Sequence, residues 1–160
     1  MTEETHWYDT IVFPALLRWA RDTYGEAMRK ALEAADCDDI PPNGMWIIGG
    51  LANGAGDAPL SVLVKQLKTS KQAAGQLVDT LVLRGYLKRD ADEEDRRRFT
   101  VRLTERGWHA AAAQREARQK IDAELLEKAG DGAVAAARKV LGLLVEIGRP
   151  QPMMESLSKE

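Results

Sequence analysis

Between residues 11 and 35 the apolar positions Ile11, Val12, Ala15, Leu16, Trp19, Ala20, Ala27, Met28, Ala31 and Leu32 fall close to the i, i+3, i+4 spacing of one helical face. This spacing predicts a long first helix. Pro14 belongs in its first turn, since deeper inside it would remove a hydrogen bond and kink the axis, so residues 6–12 are expected to form a separate or angled turn. Residues 36–44 carry Pro41-Pro42 and Asn43-Gly44 and read as a loop. Residues 45–51 are apolar almost all round, which predicts a short helix buried on several sides and closed by Asn53-Gly54-Ala55-Gly56.

Asp57 is then expected to cap a third helix with Pro59 in its first turn; Leu60, Leu63, Val64 and Leu67 lie at i, i+3, i+4, i+7, and the helix should end near Lys68. After the tight turn Lys68-Thr69-Ser70, the stripe Ala74, Leu77, Val78, Leu81, Val82 predicts a fourth helix over residues 70–84, capped by Thr69 or Ser70 and stopped by Gly85. Gln72, Gln76 and Asp79 fall on its outer side. Two helices joined by about three residues, the second with an amide-rich outer face, match the helix-turn-helix arrangement.

The period then changes from 3.6 to 2. Phe99, Val101 and Leu103 alternate with Arg98, Thr100 and Arg102, so a strand is expected over residues 99–103 with its apolar side inward. Residues 87–89 supply a shorter first strand. The segment between them is nearly all charged and must be a solvated loop with arginines on its C-terminal side. A hairpin tipped by arginines beside a helix-turn-helix is a winged helix, a device that grips two grooves of DNA. Thr104 caps the next helix with Glu105 in its positive first turn, and this Ala-rich helix runs to about residue 128. Gly130-Asp131-Gly132 breaks it. A last helix over residues 133–147 carries Val134, Ala137, Leu141, Leu144 and Val145, and Arg149-Pro150-Gln151-Pro152 leads into a loose tail.

At 160 residues the chain is one domain, large enough to bury a core without a disulfide or structural metal. Hydrophobic content of 44% beside 30% charged residues is that of an ordinary globular protein, and abundant alanine leans it towards helix. The formal net charge of −2 argues against a chain that coats nucleic acid non-specifically, so any DNA contact must come from local clusters. A lone Cys37, no signal-peptide pattern at the start and no run near the roughly 18 apolar residues of a membrane span point to a soluble protein in a reducing cytoplasm.

The terminal helices, residues 6–35 and 105–148, exceed what a winged helix at residues 57–104 needs, and their apolar stripes must be buried somewhere. Packing against a second copy is the economical solution. A two-fold dimer would set two recognition helices about one DNA turn, roughly 34 Å, apart, to match a pseudo-palindromic site. Within each copy, the flat guanidinium of Arg97 suits a narrow A·T-rich minor groove. Asp95 can hold a neighbouring arginine and shape the loop, and Arg96 and Arg98 can reach phosphates or carboxylates. Gln72 and Gln76 can read adenine edges, while Ser70 and Lys71 at the helix N-terminus can bind phosphate. Against this stands the plainer reading that any charged loop or amide-rich helix face is simply solvated.

The runs Ser70-Lys71-Gln72-Ala73-Ala74-Gly75-Gln76-Leu77-Val78-Asp79 and Leu83-Arg84-Gly85-Tyr86-Leu87, with Asp92, Asp95, Arg97, Leu103, Thr104 and Gly107 filling an Asp-x-x-Asp-x-Arg, strand, Leu-Thr-x-x-Gly signature, resemble the MarR family of bacterial transcriptional regulators. The motifs cover residues 57–107. The resemblance implies a homodimer built from the terminal helices, Arg97 in the minor groove, a recognition helix from about Ser70, and control by a small ligand or oxidant. Gly75 departs from the bulkier residue common at its position.

Other chemistry is thin. Trp7, Tyr8, Trp19, Tyr24, Trp46 and Trp108 could line a pocket for a small aromatic or apolar effector, or could simply fill core. Cys37 is surrounded by Asp36, Asp38 and Asp39, which disfavour a thiolate, and an inert thiol is expected. His6 and His109 give no zinc spacing, no glycine-rich phosphate loop follows a strand, and neither an enzyme nor a resident cofactor is expected. The reading is therefore a mainly α protein with a small β-hairpin wing: a winged helix-turn-helix flanked by N- and C-terminal dimerisation helices, binding double-stranded DNA as a repressor. The rival is a winged-helix module that docks protein without binding DNA. Such modules usually lose the tip arginines and fill the outer helix face with apolar side chains, and neither change is visible here.

Overall fold

The computed structural model describes residues 5–67, 69–91 and 98–148. A 3-10 turn, Trp7–Thr10, leads into α1, Phe13–Ala34, with Pro14 in the first turn, where the missing N–H costs nothing. At its end Asp36 takes a positive φ of 56°, and the Cys37 amide reaches back to the carbonyl of Leu32 at 2.8 Å. Helix α2, Gly44–Ala52, is buried along most of its length, as its all-round apolarity requires.

Residues 57–59 depart from the expected helix cap. They form strand β1, Asp57–Pro59, and helix α3 is confined to Leu60–Gln66, with Leu67 as its C-cap and Lys68 outside the described residues. Three residues carry too little periodicity to reveal a strand, and Pro59 suits a helix start equally well. Helix α4, Lys71–Leu83, begins where the sequence indicates: Ser70, not Thr69, is the N-cap, its hydroxyl accepting from the amide of Ala73 at 3.1 Å. It ends in a glycine C-cap. The Gly85 amide bonds to the carbonyl of Val82 and that of Tyr86 to Leu81, the paired bonds of a Schellman motif, with Gly85 at φ 79°.

Strand β2, Leu87–Ala91, is longer than residues 87–89, and β3, Phe99–Leu103, matches expectation. The sheet order is β1-β3-β2, antiparallel throughout, with Asp57 opposite Arg102 and Arg89 opposite Val101. The hairpin is thus widened to three strands by residues whose sequence suggests a helix start. Val101 and Leu103 are buried, but Phe99 is 41% exposed. It shares their face at the tip end of the strand, opposite Ala91. Helix α5, Glu105–Gly148, follows Thr104; at Gly130 the backbone turns out of helical geometry (φ 80°, ψ 161°), so the expected break narrows to one residue.

The core is assembled from Met28 and Leu32 of α1, Met45, Ile48 and Leu51 of α2, Val78 and Leu81 of α4, Tyr86 and Leu87, Val101 and Leu103, and Ala110 and Ala111 of α5. At its edge, α5 is stapled to the start of β2. Thr104 donates from its hydroxyl to the carbonyl of Gly85 at 2.5 Å and accepts from the Gly107 amide at 3.1 Å, while its own amide bonds to the Tyr86 carbonyl. A Cβ at Gly107 would run into that same carbonyl. Tyr86 is fully buried; its hydroxyl donates to the Asp39 carboxylate, which also pairs with Arg106 at 3.1 Å. The Arg106 guanidinium lies 4.2 Å over the Tyr86 ring. Arg84 and Arg106 complete the knot by donating to the carbonyls of Asp39 and Arg84 respectively.

Gly107→Ala must push helix and strand apart and is expected to cost about 1–3 kcal/mol by denaturant unfolding. Gly75→Ala, where a new Cβ meets nothing within 4 Å, is expected to gain about 0.5–1 kcal/mol in the same assay. The Asp39 carboxyl is held below its ordinary range, first by the Tyr86 hydrogen bond and then by Arg106. The stability this confers is present above the unfolded carboxylate range and is lost as pH falls through the lower folded value. Asp39→Asn should therefore unfold at a lower temperature than the parent near neutrality, the gap closing in thermal melts taken below about pH 4.

Candidate nucleic-acid interface

Helices α3 and α4, joined through residues 67–70, form the helix-turn-helix, and the burial of Ala74, Val78 and Leu81 fixes which side of α4 faces out. Ser70, Lys71, Gln72 and Gln76 are all exposed on that helix or at its cap. Free N–H groups of the first turn lie beside Ser70 and Lys71, which suits an anion, while Gln72 and Gln76, one turn apart, offer paired donors and acceptors. Gly75 leaves the surface between them open. The Thr80 hydroxyl turns back to the carbonyl of Gln76 at 2.9 Å and is thereby occupied.

Asp95, Arg96 and Arg97 lie outside the described residues. Arg98, at the foot of β3, has a partner of its own. What the structure does describe is the base on which the hairpin tip stands. On the outer face of the sheet Arg102 lies between Asp57 at 3.4 Å and Asp90 at 3.2 Å, so one guanidinium ties the three strands together. On the opposite face Arg89 reaches across to Asp79 of α4 at 2.6 Å.

Neither arrangement is visible in the chain. Alternation places Arg102 only on the water side of its strand, and Asp57 reads as a helix cap. Arg89 ends a predicted strand too short to suggest a partner. The one available signal is parity: Arg89 is two residues beyond the buried Leu87 and so returns to the side of the sheet that faces the helices.

The six aromatics do not form one lining. Trp7 and Tyr8 contact each other edge to face; Arg21 stacks on Trp46 at 4.8 Å; Trp108 rests against Gly56; and the Tyr24 hydroxyl donates to Asp122. Burial, followed by that hydrogen bond, pushes the Tyr24 phenol up to about 12. A cavity of about 710 Å³ opens instead between α1 and α5, lined mostly by alanines with Lys30, His109, Glu116 and Lys120 at its rim, and it touches none of the six except through the helices that carry them. Cys37 is buried at 1% exposure, its thiol donating to the carbonyl of Ala35. Among the described residues no group of three or more His, Cys, Asp or Glu could hold a metal, and no helix is long and apolar enough to cross a membrane.

Replacing Ser70 by alanine removes the cap of α4 and is expected to cost about 1 kcal/mol in denaturant unfolding, whereas Ser70→Asp should retain most of it.

Residues 38–98 match the MarR family. No curated protein matches the chain by sequence. Solved structures share its fold over nearly their whole length. A cysteine-to-serine mutant of MarR from E. coli complexed with operator DNA is 19% identical, with a TM-score of 0.66, covering 88% of this chain and 99% of that one. NadR in complex with 4-hydroxyphenylacetate is 21% identical, with a TM-score of 0.68, covering 92% and 99%. The YusO protein from Bacillus subtilis is 17% identical, with a TM-score of 0.56, covering 83% and 92%.

Proposed function

This chain carries MarR-family sequence over residues 38–98 on a MarR-type winged-helix fold, and from that premise we propose that it is a DNA-binding transcriptional regulator: a cytoplasmic homodimer that represses from a pseudo-palindromic operator and is released by a small effector. The observation that carries the DNA reading is the outer face of α4, where Ser70, Lys71, Gln72 and Gln76 stand exposed beside a three-stranded wing. In this reading the helix enters the major groove, with Ser70 and Lys71 on phosphates and Gln72 and Gln76 on base edges. Arg97 enters the adjacent minor groove, supported by Asp95, with Arg96 on the backbone.

The homodimer is supported by apolar side chains left open on the terminal helices. Trp7 is 68% exposed, Phe13 61%, Leu143 50% and Ile147 81%, a surface that water disfavours and a second copy can cover. A small aromatic or apolar effector is supported by the likeness to NadR, whose structure holds 4-hydroxyphenylacetate. Regulation of this kind needs only that the effector bind one arrangement of the two recognition helices better than another.

The test is a gel shift on DNA flanking the protein's own gene, with Arg97→Ala beside the parent chain. Salt-sensitive binding at nanomolar to micromolar protein is expected, with the variant weaker and its salt slope flatter by about 0.9 for each phosphate no longer neutralised. A parent chain that does not bind in low salt rules out the DNA reading and leaves the protein-docking module.

A further inference from the structure

Helix and wing enter neighbouring grooves of a duplex, so the phosphate ridge dividing those grooves must cross the seam between them. Among the described residues, an ion pair between Arg89 and Asp79 spans this seam. Arg89 stands on the helix-facing side of β2, opposite the buried Val101, and meets Asp79 of α4 at 2.6 Å. We propose that Arg89 is a phosphate-binding residue of the DNA interface and that Asp79 is its positioning residue; the proposal rests on the DNA-binding reading above.

Three observations carry it. Asp79 lies on the same stripe of α4 as Gln72 and Gln76, one turn beyond Gln76, so a carboxylate sits on the surface that would face a polyanion. It is tolerable there only with a cation held against it. Second, among the described residues the pair leaves donor capacity unspent: a guanidinium has five N–H groups, one carboxylate oxygen engages one edge, and the Arg89 side chain remains 31% exposed. Third, the other arginine of the sheet is placed differently. Arg102 lies between two carboxylates on the opposite face, which over-neutralises it and turns it away from the helix. Arg89, met by one carboxylate among the described residues, can take a phosphate on its other edge while Asp79 holds it still. The sequence-independent part of binding would then depend on a residue of the wing's root as well as on its tip.

The test uses the full chain and a duplex on which the parent chain binds, followed by fluorescence anisotropy between about 50 and 200 mM salt. Arg89→Gln, which keeps a long polar stem without the charge, should flatten the salt slope by about 0.9 per phosphate, hence about 1.8 for a dimer. Arg89→Lys should keep the slope but bind several-fold more weakly, because a point charge cannot serve carboxylate and phosphate at once. Asp79→Ala gives the decisive sign. A carboxylate that only repels the duplex predicts tighter binding on its removal; a positioning role predicts binding roughly fivefold weaker, and no further loss when Arg89→Gln is already present. Circular dichroism and thermal midpoints establish that each variant is folded. If the parent binds and Arg89→Gln keeps its slope and affinity, this inference fails while the DNA reading stands. If Asp79→Ala binds more tightly, the positioning role fails. If the parent does not bind, the DNA reading itself is lost.

Discussion

The close approach of α5 to the start of β2 is the constraint on which the rest of the structure depends. Gly107 lets the helix backbone lie against the Tyr86 carbonyl, and Thr104 serves both chains at once, capping α5 and bonding to Gly85. Beneath that contact Tyr86 is sealed from water, with its hydroxyl on Asp39 and the Arg106 guanidinium across its ring. Burial, then the bond to Asp39, drives the phenol well above its usual range, so it stays a neutral donor. The loop after α1, the exit of α4, the root of the wing and the first turn of α5 therefore meet in a single knot. Moving any one of them breaks charged or buried hydrogen bonds in the others.

That knot explains how so small a wing is placed. Helix α4 ends at Leu83 and the chain turns at Gly85, one residue before the buried Tyr86, so the angle between helix and β2 is decided within three residues. The sheet is then held on both faces: by Arg102 across its three strands outside, and by Arg89 against α4 inside. Exposed ion pairs contribute little stability one at a time. Their value here is geometric, because they fix the relative position of two elements that would have to enter two grooves together.

The terminal helices follow a different logic. Their apolar side chains lie open, and α5 turns at Gly130 instead of closing over its own stripe. The core takes only Met28 and Leu32 from α1 and Ala110 and Ala111 from α5, and the apolar side chains farther along these helices have no part in it. These open side chains are the surface on which the proposed homodimer rests, and the gap between α1 and α5 is lined mostly by alanines.

Much of this is legible in the chain. Periodicity locates α1, α2, α4 and β3, and Ser70, Gly85 and Thr104 mark their ends, because caps and helical faces are local properties written every three or four residues. The arginine-rich hairpin and its family likeness point to the winged helix, and Ser70, Lys71, Gln72 and Gln76 do stand exposed. Tertiary structure alone decides the remainder. Asp57–Pro59 become a strand because β3 offers an open edge, not because of their own preference. Phe99 is left half open at the strand tip, the aromatics disperse, and Arg89 finds Asp79 ten residues back across the seam. These depend on which surfaces meet once the core closes, and a linear pattern with a period of two or 3.6 records which side a residue faces, not what it will find there.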